Sequence, residues 1–300
     1  MFLIFLTTFA VSSAQTGQLK VVATFSIIGD WVQNVVGEVA SVDVLVGPDA
    51  DAHGFQPSPR DVITLAQADL IFENGLGFET WLDDLYAASR ARAPRVAVTE
   101  GIEPILAGEA HGGAEHEAEH HPGEVDPHAW HDVQNAIRAV EVIRDTLIEA
   151  DPDNAAIYRE NARAYLAELA GLDEQIREQA SGLQEERRKL VTNHDTFGYF
   201  ARAYGFEVLA TLLPLSTDTD EVAAGELAAL IDTVRAAGVR AIFVENVGDV
   251  RLAEMVAQAT GARLAPALYT DALGAAGSAG ATYLKMMRYN LGVMLEALAE

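Results

Sequence analysis

Three histidines and one aspartate stand in loops from which their side chains could converge on a metal ion. His53 lies in DADAHGFQPSP, between a strand and a proline-initiated helix. His128 lies in DPHAW, a turn just before a helix, and His194 lies in VTNHDTFGYF, directly after a β-branched strand. In open α/β sheets, ligands bind at the carboxyl ends of strands, and these histidines fall at such ends or at helix starts. Neutral imidazole is the commonest metal ligand, and three imidazoles with one carboxylate complete a tetrahedral zinc shell. The carboxylate candidate is Asp271 in LYTDALG, just after a short strand and the turn at Pro266. Any one of these residues alone reads as an ordinary loop residue. Three histidines at comparable loop positions point instead to a shared site.

The remaining histidines divide into two groups. His111, His116, His120 and His121 lie in AGEAHGGAEHEAEHHPGE, residues 107–124, a polar low-complexity loop without apolar periodicity. Histidines interleaved with glutamates can hold zinc loosely, as an auxiliary to a tighter site. His131 follows His128 by three residues and reads as a surface residue or a neighbour of the shell, outside the ligand set. Trp130, Phe55 and Phe197 are expected to wall the site or pack beneath it. Asp126 and Asp195 are candidates to orient a ligand imidazole through its other nitrogen. Glu245 sits at a strand end on the same side and is expected to line the site without ligating.

The elements that must position these residues alternate. Strands are expected at Lys20–Thr24, Val42–Val46, Leu70–Phe72 and Arg95–Val98, with helices at Ile27–Val39, Thr80–Arg90 and from Pro59 onward. Ser58, Pro59 and Asp61 fit the N-cap, N1 and N3 positions of that last helix. Two helical segments follow the polar loop, Val133–Ala150 and Pro152–Ser181; Ile157, Ala164, Leu169, Leu172 and Ile176 approximate the apolar face of the second. Alternation resumes with strands at Leu190–Thr192, Val208–Thr211, Ala241–Val244 and Arg263–Ala265. Helices are expected at Thr196–Tyr204, Val222–Ala237, Val250–Thr260 and Ala279–Ala299. Such alternation indicates mostly parallel sheets covered by helices. The expected organisation is an N-terminal α/β lobe over residues 15–150, a linking helix over 151–182 and a C-terminal α/β lobe over 183–300.

Composition narrows the function classes. The 300 residues are half hydrophobic, enough for two cores, and carry a net charge of −25. That charge argues against nucleic acid, which needs Lys and Arg against its phosphates. With no cysteine, disulfide scaffolds and Cys-based zinc sites are excluded. Residues 1–14, MFLIFLTTFAVSSA, read as a signal peptide: an apolar run too short to span a membrane, ending in small residues. No Lys or Arg precedes that run. The expectation is a soluble, exported, periplasmic protein starting near Gln15, without a lipid anchor on cysteine.

The phrases DAHGFQPSPRD, DPHAWHD, TNHDTFGYFARAYG and YTDALG together resemble the four ligand segments of the metal-binding solute-binding proteins of ABC transporters, the zinc/manganese uptake family. The resemblance runs from about Lys20 to the end. It implies two four-stranded α/β lobes joined by one rigid helix, with the metal in the cleft between them. His53 and His128 would come from the N-terminal lobe, His194 and Asp271 from the C-terminal lobe. It also implies delivery to a membrane permease driven by a cytoplasmic ATPase, by a monomeric protein that is not an enzyme. In that family Glu at the third ligand position goes with manganese or iron and His more often with zinc, so His194 favours zinc as the transported ion and leaves manganese as the alternative. The polar loop resembles the His-rich loop of many zinc members. His131 stands where an aliphatic residue is more usual. A zinc hydrolase is the rival from another class, but no HExxH pattern is present and Asp271 would fill the open coordination position. Nothing in the sequence supports a third role, that of an adhesin.

Overall fold

The structure is a computed structural model and describes residues 17–106, 125–213, 224–247 and 249–299. The expected signal peptide and the four loop histidines, His111, His116, His120 and His121, lie outside the described residues.

The N-terminal half is built from strands β1 (Leu19–Phe25), β2 (Ala40–Val46), β3 (Leu70–Glu73) and β4 (Arg95–Ala97) and helices α1 (Ser26–Val36), α2 (Pro59–Ala66) and α3 (Leu82–Ser89). The strands form one parallel sheet in the order β2-β1-β3-β4. β1 is central, and its last five residues, VVATF, are all buried, as a strand covered on both faces requires. The expected capping at α2 forms: the Asp61 carboxylate accepts from the Ser58 backbone N–H at 2.7 Å and from its hydroxyl at 2.8 Å.

Helices α4 (Val133–Ala150) and α5 (Ala155–Ser181) come next, α5 being preceded by a 3-10 turn at Pro152–Asn154. α5 is the long helix between the two lobes, and it packs against α4 and α1. Its buried residues are Ala155, Tyr158, Ala162, Tyr165, Leu169, Leu172, Asp173, Ile176 and Ala180. This corrects the expected face, because Ile157 and Ala164 are exposed. The tyrosines set the phase: their rings bury apolar area while Tyr158 donates to Asp151 and Tyr165 to Asp30.

The C-terminal half holds β5 (Lys189–Thr192), α6 (Gly198–Tyr204), β6 (Glu207–Thr211), α7 (Ala224–Ala236), β7 (Ala241–Ile242), α8 (Arg251–Thr260), β8 (Arg263–Leu264) and α9 (Tyr283–Ala299). Here the expected four-stranded sheet consists of two parallel pairs, β5 with β6 and β7 with β8. A parallel bridge from Thr192 to Phe243 joins them, and the Phe243 N–H donates to the Val191 carbonyl at 2.8 Å. The spatial order β6-β5-β7-β8 therefore repeats the order of the first sheet. β7 and β8 are short because the ladder lapses beyond Ile242 and resumes only as a bridge between Glu245 and Leu268. One large core runs through the N-terminal sheet, α4, α5 and α9, and a smaller one centres on Val191, Val234, Ile242 and Val256.

Candidate metal centre

The four residues singled out from sequence meet. His53, His128, His194 and Asp271 each offer a ligand atom, and these atoms lie within 4.8 Å of one another. His128, His194 and Asp271 are fully buried, while His53 retains 9 % exposure.

Each arrives on a different element. His53 follows β2 in a loop where its backbone N–H donates to Asp51 at 2.9 Å, and its ring meets the Phe78 ring edge-on at 4.6 Å. His128 opens a 3-10 turn, Ala129–His131, that leads into α4. That turn is fastened to the first sheet by Asn74, whose side-chain amide donates to the Pro127 carbonyl at 2.9 Å. Asn74 follows β3 and enters a loop where Gly75, Leu76 and Gly77 all have positive φ. At Gly75 a side chain would also meet the Ala97 Cβ at 2.9 Å, so glycine is required twice over. Glu79 closes this support by accepting from the backbone of Asn74 and Gly75 and from the Thr24 hydroxyl. Burial pushes its carboxyl up to about 7.

His194 follows β5, and Asp271 lies in the segment after β8. That segment is tied to the N-terminal half on three sides. Leu273 N–H donates to the Ser26 hydroxyl, Asp49 accepts from Ala275 N–H, and the Trp130 indole donates to the Thr270 carbonyl. The aspartate thus belongs by chain to one half and by hydrogen bonding to both.

The donor geometry is that of a small cation site. His53 Nε2 and His128 Nε2 are 3.2 Å apart, and His128 Nε2 and His194 Nε2 are 3.3 Å apart. Asp271 oxygens lie 3.5 Å, 3.7 Å and 3.2 Å from the Nε2 atoms of His53, His128 and His194. A tetrahedron with metal–nitrogen bonds of about 2.0–2.1 Å has edges of about 3.3 Å, so these spacings match such a shell.

Two carboxylates behind the shell set the imidazoles. Asp126 Oδ1 is 2.7 Å from His128 Nδ1, and Glu245 Oε2 is 2.7 Å from His194 Nδ1. A carboxylate on Nδ1 leaves the Nε2 lone pair facing inward, the form that binds a metal. Asp126 therefore takes the orienting part expected of it. Asp195 is buried close by and its charge acts on Asp126 and His128. Trp130 and Phe197 are buried in the wall, and Phe55 stacks edge-on against Trp81 at 4.8 Å.

The charges are unbalanced without a cation. Burial lowers His128 to about 3, holding it neutral. Burial also opposes a proton on His194, but Glu245 and Asp271 outweigh it and hold His194 well above its ordinary value. Burial raises Asp271 too, yet His194, His53 and His128 hold it well below the usual carboxylate range. Burial, then Asp195, push Asp126 well up. Carboxylates crowd this pocket, and a divalent ion is the charge that would relieve them.

Two features depart from the sequence reading. Glu245, expected only to line the site, grips His194 through both its ring and its backbone N–H, the latter at 3.0 Å, and accepts from the Thr270 hydroxyl at 2.9 Å. Its position at a strand end was the available signal. His131, read as a surface residue or a neighbour of the shell, is not at the surface: it is fully buried between Trp130 and Phe197. A 3-10 turn places residues i and i+3 on one face, so His131 follows His128 inward.

Comparison with known proteins agrees with this site. The family described as "Zinc-uptake complex component A periplasmic" (ZnuA) matches residues 21–297. The chain is 36% identical to the manganese-binding lipoprotein MntA of Halalkalibacterium halodurans over 282 residues, 94% of this chain and 89% of that protein. It is 32% identical to the iron-binding protein YfeA of Yersinia pestis, over 94% of this chain and 87% of the other. The solved periplasmic zinc-binding protein TroA from Treponema pallidum superposes with a TM-score of 0.84 at 32% identity, covering 95% of this chain and all of that one. Three relatives are thus named for three different metals. The chain belongs to the ZnuA family of metal-binding substrate-binding proteins of ABC transporters, whose members bind and deliver a solute and are not enzymes.

Proposed function

We propose that this protein captures zinc outside the cytoplasm, at His53, His128, His194 and Asp271, and hands it to a membrane permease driven by a cytoplasmic ATPase. The observation that carries the reading is the convergence of three imidazole Nε2 atoms and one carboxylate at tetrahedral spacing. Three nitrogens and one oxygen suit zinc, which favours four-coordinate shells with nitrogen. The fourth donor also speaks against a hydrolase, because Asp271 occupies the position that an activated water would need. Manganese is the second reading; the name of the relative MntA and the second oxygen of Asp271 favour it.

In this reading the protein works as an exported monomer, with lobes at 15–150 and 183–300 and the linking helix at 151–182. The four loop histidines hold further zinc weakly. No helix among the described residues is long and apolar enough to cross a membrane. Several relatives are named lipoproteins, whereas the 300 residues here contain no cysteine to carry a lipid.

The test is metal content and competition titration of zinc against manganese on protein made without a histidine tag. One tight zinc per chain is expected, with a melting temperature that rises with free zinc as binding to the native state requires. Tighter manganese than zinc at that site would replace the first reading with the second, and unchanged melting in excess of either ion would remove both.

A further inference from the structure

Asp49, in the loop that carries His53, reaches across to the other half of the chain. Its backbone N–H donates to the Leu273 carbonyl at 2.8 Å. Its Oδ2 accepts from the Ala275 N–H at 2.8 Å, and its Oδ1 accepts from the Asn246 side-chain amide at 3.1 Å. Leu273 and Ala275 lie just after Asp271 in the same segment, and Asn246 follows Glu245, which holds His194. Asn246 is itself placed by that segment: its Oδ1 accepts from the Thr270 N–H at 3.3 Å, and its amide also donates to the Ala272 carbonyl at 3.4 Å. One aspartate therefore joins the loop of one candidate ligand to the segments behind two others.

The place of this tie separates it from the others. Ser26 with Leu273 and Trp130 with Thr270 also fasten the Asp271 segment to the first half, but all four of those residues are buried. Asp49 and Ala275 are exposed. His128, His194 and Asp271 are fully buried, whereas His53 keeps 9 % exposure and is followed by the exposed Gly54. The way out of the site therefore runs past His53, and Asp49 fastens the same loop on the solvent side. Asp49 holds a left-handed φ of 55°, a conformation that Asp and Asn tolerate better than most side chains and that glycine adopts freely.

We propose that Asp49 is a positioning residue that latches the His53 loop to the Asp271 segment and so sets how slowly the bound ion leaves. With the latch made, His53 and Asp271 stay on the ion together, and release requires the two segments to part. Losing a contact of this kind is felt mostly in dissociation rather than in capture. The proposal rests on the reading of His53, His128, His194 and Asp271 as metal ligands, and it holds whichever ion they carry.

The experiment is stopped-flow release of zinc from the full chain into an excess of fluorescent chelator, each variant first melted without metal to confirm folding. Asp49→Gly removes the carboxylate while keeping the backbone unstrained. Surface hydrogen bonds to a charged acceptor are modest singly, and losing two is expected to speed release by about tenfold. Asn246→Asp sets two carboxylates against each other while still accepting from the Thr270 N–H, and should speed release at least as much. The double variant Asp49→Asn with Asn246→Asp reverses donor and acceptor across the same contact and leaves an oxygen for the Ala275 N–H. Its release rate is expected to return to within about threefold of the parent, a rescue that a general loss of packing would not give. Release from Asp49→Gly within about twofold of the parent overturns the proposal. So does a double variant as fast as Asn246→Asp alone. Should Asp49→Gly not fold, Asn246→Asp and the double variant decide on the same terms. A parent that holds zinc too weakly for its release to be timed overturns the metal reading and the latch together, whereas a parent with slow release and unaltered variants overturns the latch alone.

Discussion

Glu245 holds His194 at two points, its Oε2 lying 2.7 Å from the ring Nδ1 and its Oε1 accepting the His194 backbone N–H at 3.0 Å. One carboxylate thus fixes both the rotation of the imidazole and the loop that carries it, and the Thr270 hydroxyl holds the carboxylate in turn. Thr270 precedes Asp271, so two candidate ligands share one anchor. Glu245→Ala is expected to lower metal affinity by about 10–100-fold, the usual cost of losing such a partner. Glu245→Gln should cost less, because its amide oxygen can still accept from Nδ1. Competition titration of both variants checks this, and equal losses would mean that the charge matters rather than the orientation.

Metal capture should expel a proton. Glu245 and Asp271 hold the His194 pKa well above its ordinary value against the effect of burial, which favours a proton on the imidazole in the metal-free protein. A metal takes only the neutral imidazole. Binding is therefore expected to release protons and to weaken as pH falls. Calorimetry in buffers of different ionisation heat counts the protons; a heat that does not depend on the buffer would contradict the assignment.

Much of this was legible in the sequence, for reasons that can be located. The four candidate ligands stand out because a binding loop needs unusual residues at fixed strand ends, and the helix expected at about Val133–Ala150 forms, with Asp132 capping it by accepting from Gln134 N–H at 2.9 Å. The buried face of α5 differs from the expected one because Tyr158 and Tyr165 bury their rings while their hydroxyls donate to Asp151 and Asp30, the latter 135 positions away. The part played by Glu245 and the burial of His131 depend on contacts between segments distant in sequence: Glu245 meets His194 across 51 positions, and the His131 ring packs on Phe197 of the other half. Local pattern carries no information about such pairings.

The segment that carries the four loop histidines is expected to be dispensable for tight binding. Leu106 and Val125 pair as an antiparallel bridge at its base, so the chain is already closed where the loop leaves it. All four clustered donors lie outside it. Deleting residues 109–121 should leave one tightly bound zinc with affinity changed by less than about threefold, while removing weaker zinc. Loss of all binding would place the site in the loop.

His131 should also leave a signature in the stability of the metal-free protein. Burial lowers its pKa to about 3, against about 6.5 when unfolded. Below pH 6.5 the unfolded chain binds a proton at this residue that the native state refuses, so the stability it leaves is complete above pH 6.5 and falls as pH drops towards 3. His131→Leu removes that loss. Its stability relative to the parent is therefore expected to improve by about 2 kcal/mol between pH 6.5 and pH 5, at about 1.4 kcal/mol per unit. Urea unfolding at the two pH values measures it, and a difference independent of pH would show that His131 takes up its proton in the folded state.

The third ligand position offers the sharpest test of metal choice. His194→Glu replaces a nitrogen donor with a carboxylate that can give two oxygens, in a pocket already crowded by Asp126, Asp195, Glu245 and Asp271. The new carboxylate also faces Glu245 where the imidazole N–H had been, so the pair repels unless a cation or proton lies between them. Zinc loses a preferred nitrogen, whereas manganese accepts the added oxygens. Zinc affinity is expected to fall by at least about tenfold more than manganese affinity. His131→Glu cannot serve as the neutral control that a surface histidine would have offered, because it would bury a charge. Gln258→Glu, on the exposed face of α8, adds the same single charge outside the site and should leave both affinities unchanged. Competition titration of both ions on both variants decides the matter. Equal losses of zinc and manganese in His194→Glu would mean that the lost interaction with Glu245, and not the ligand type, governs what the site holds.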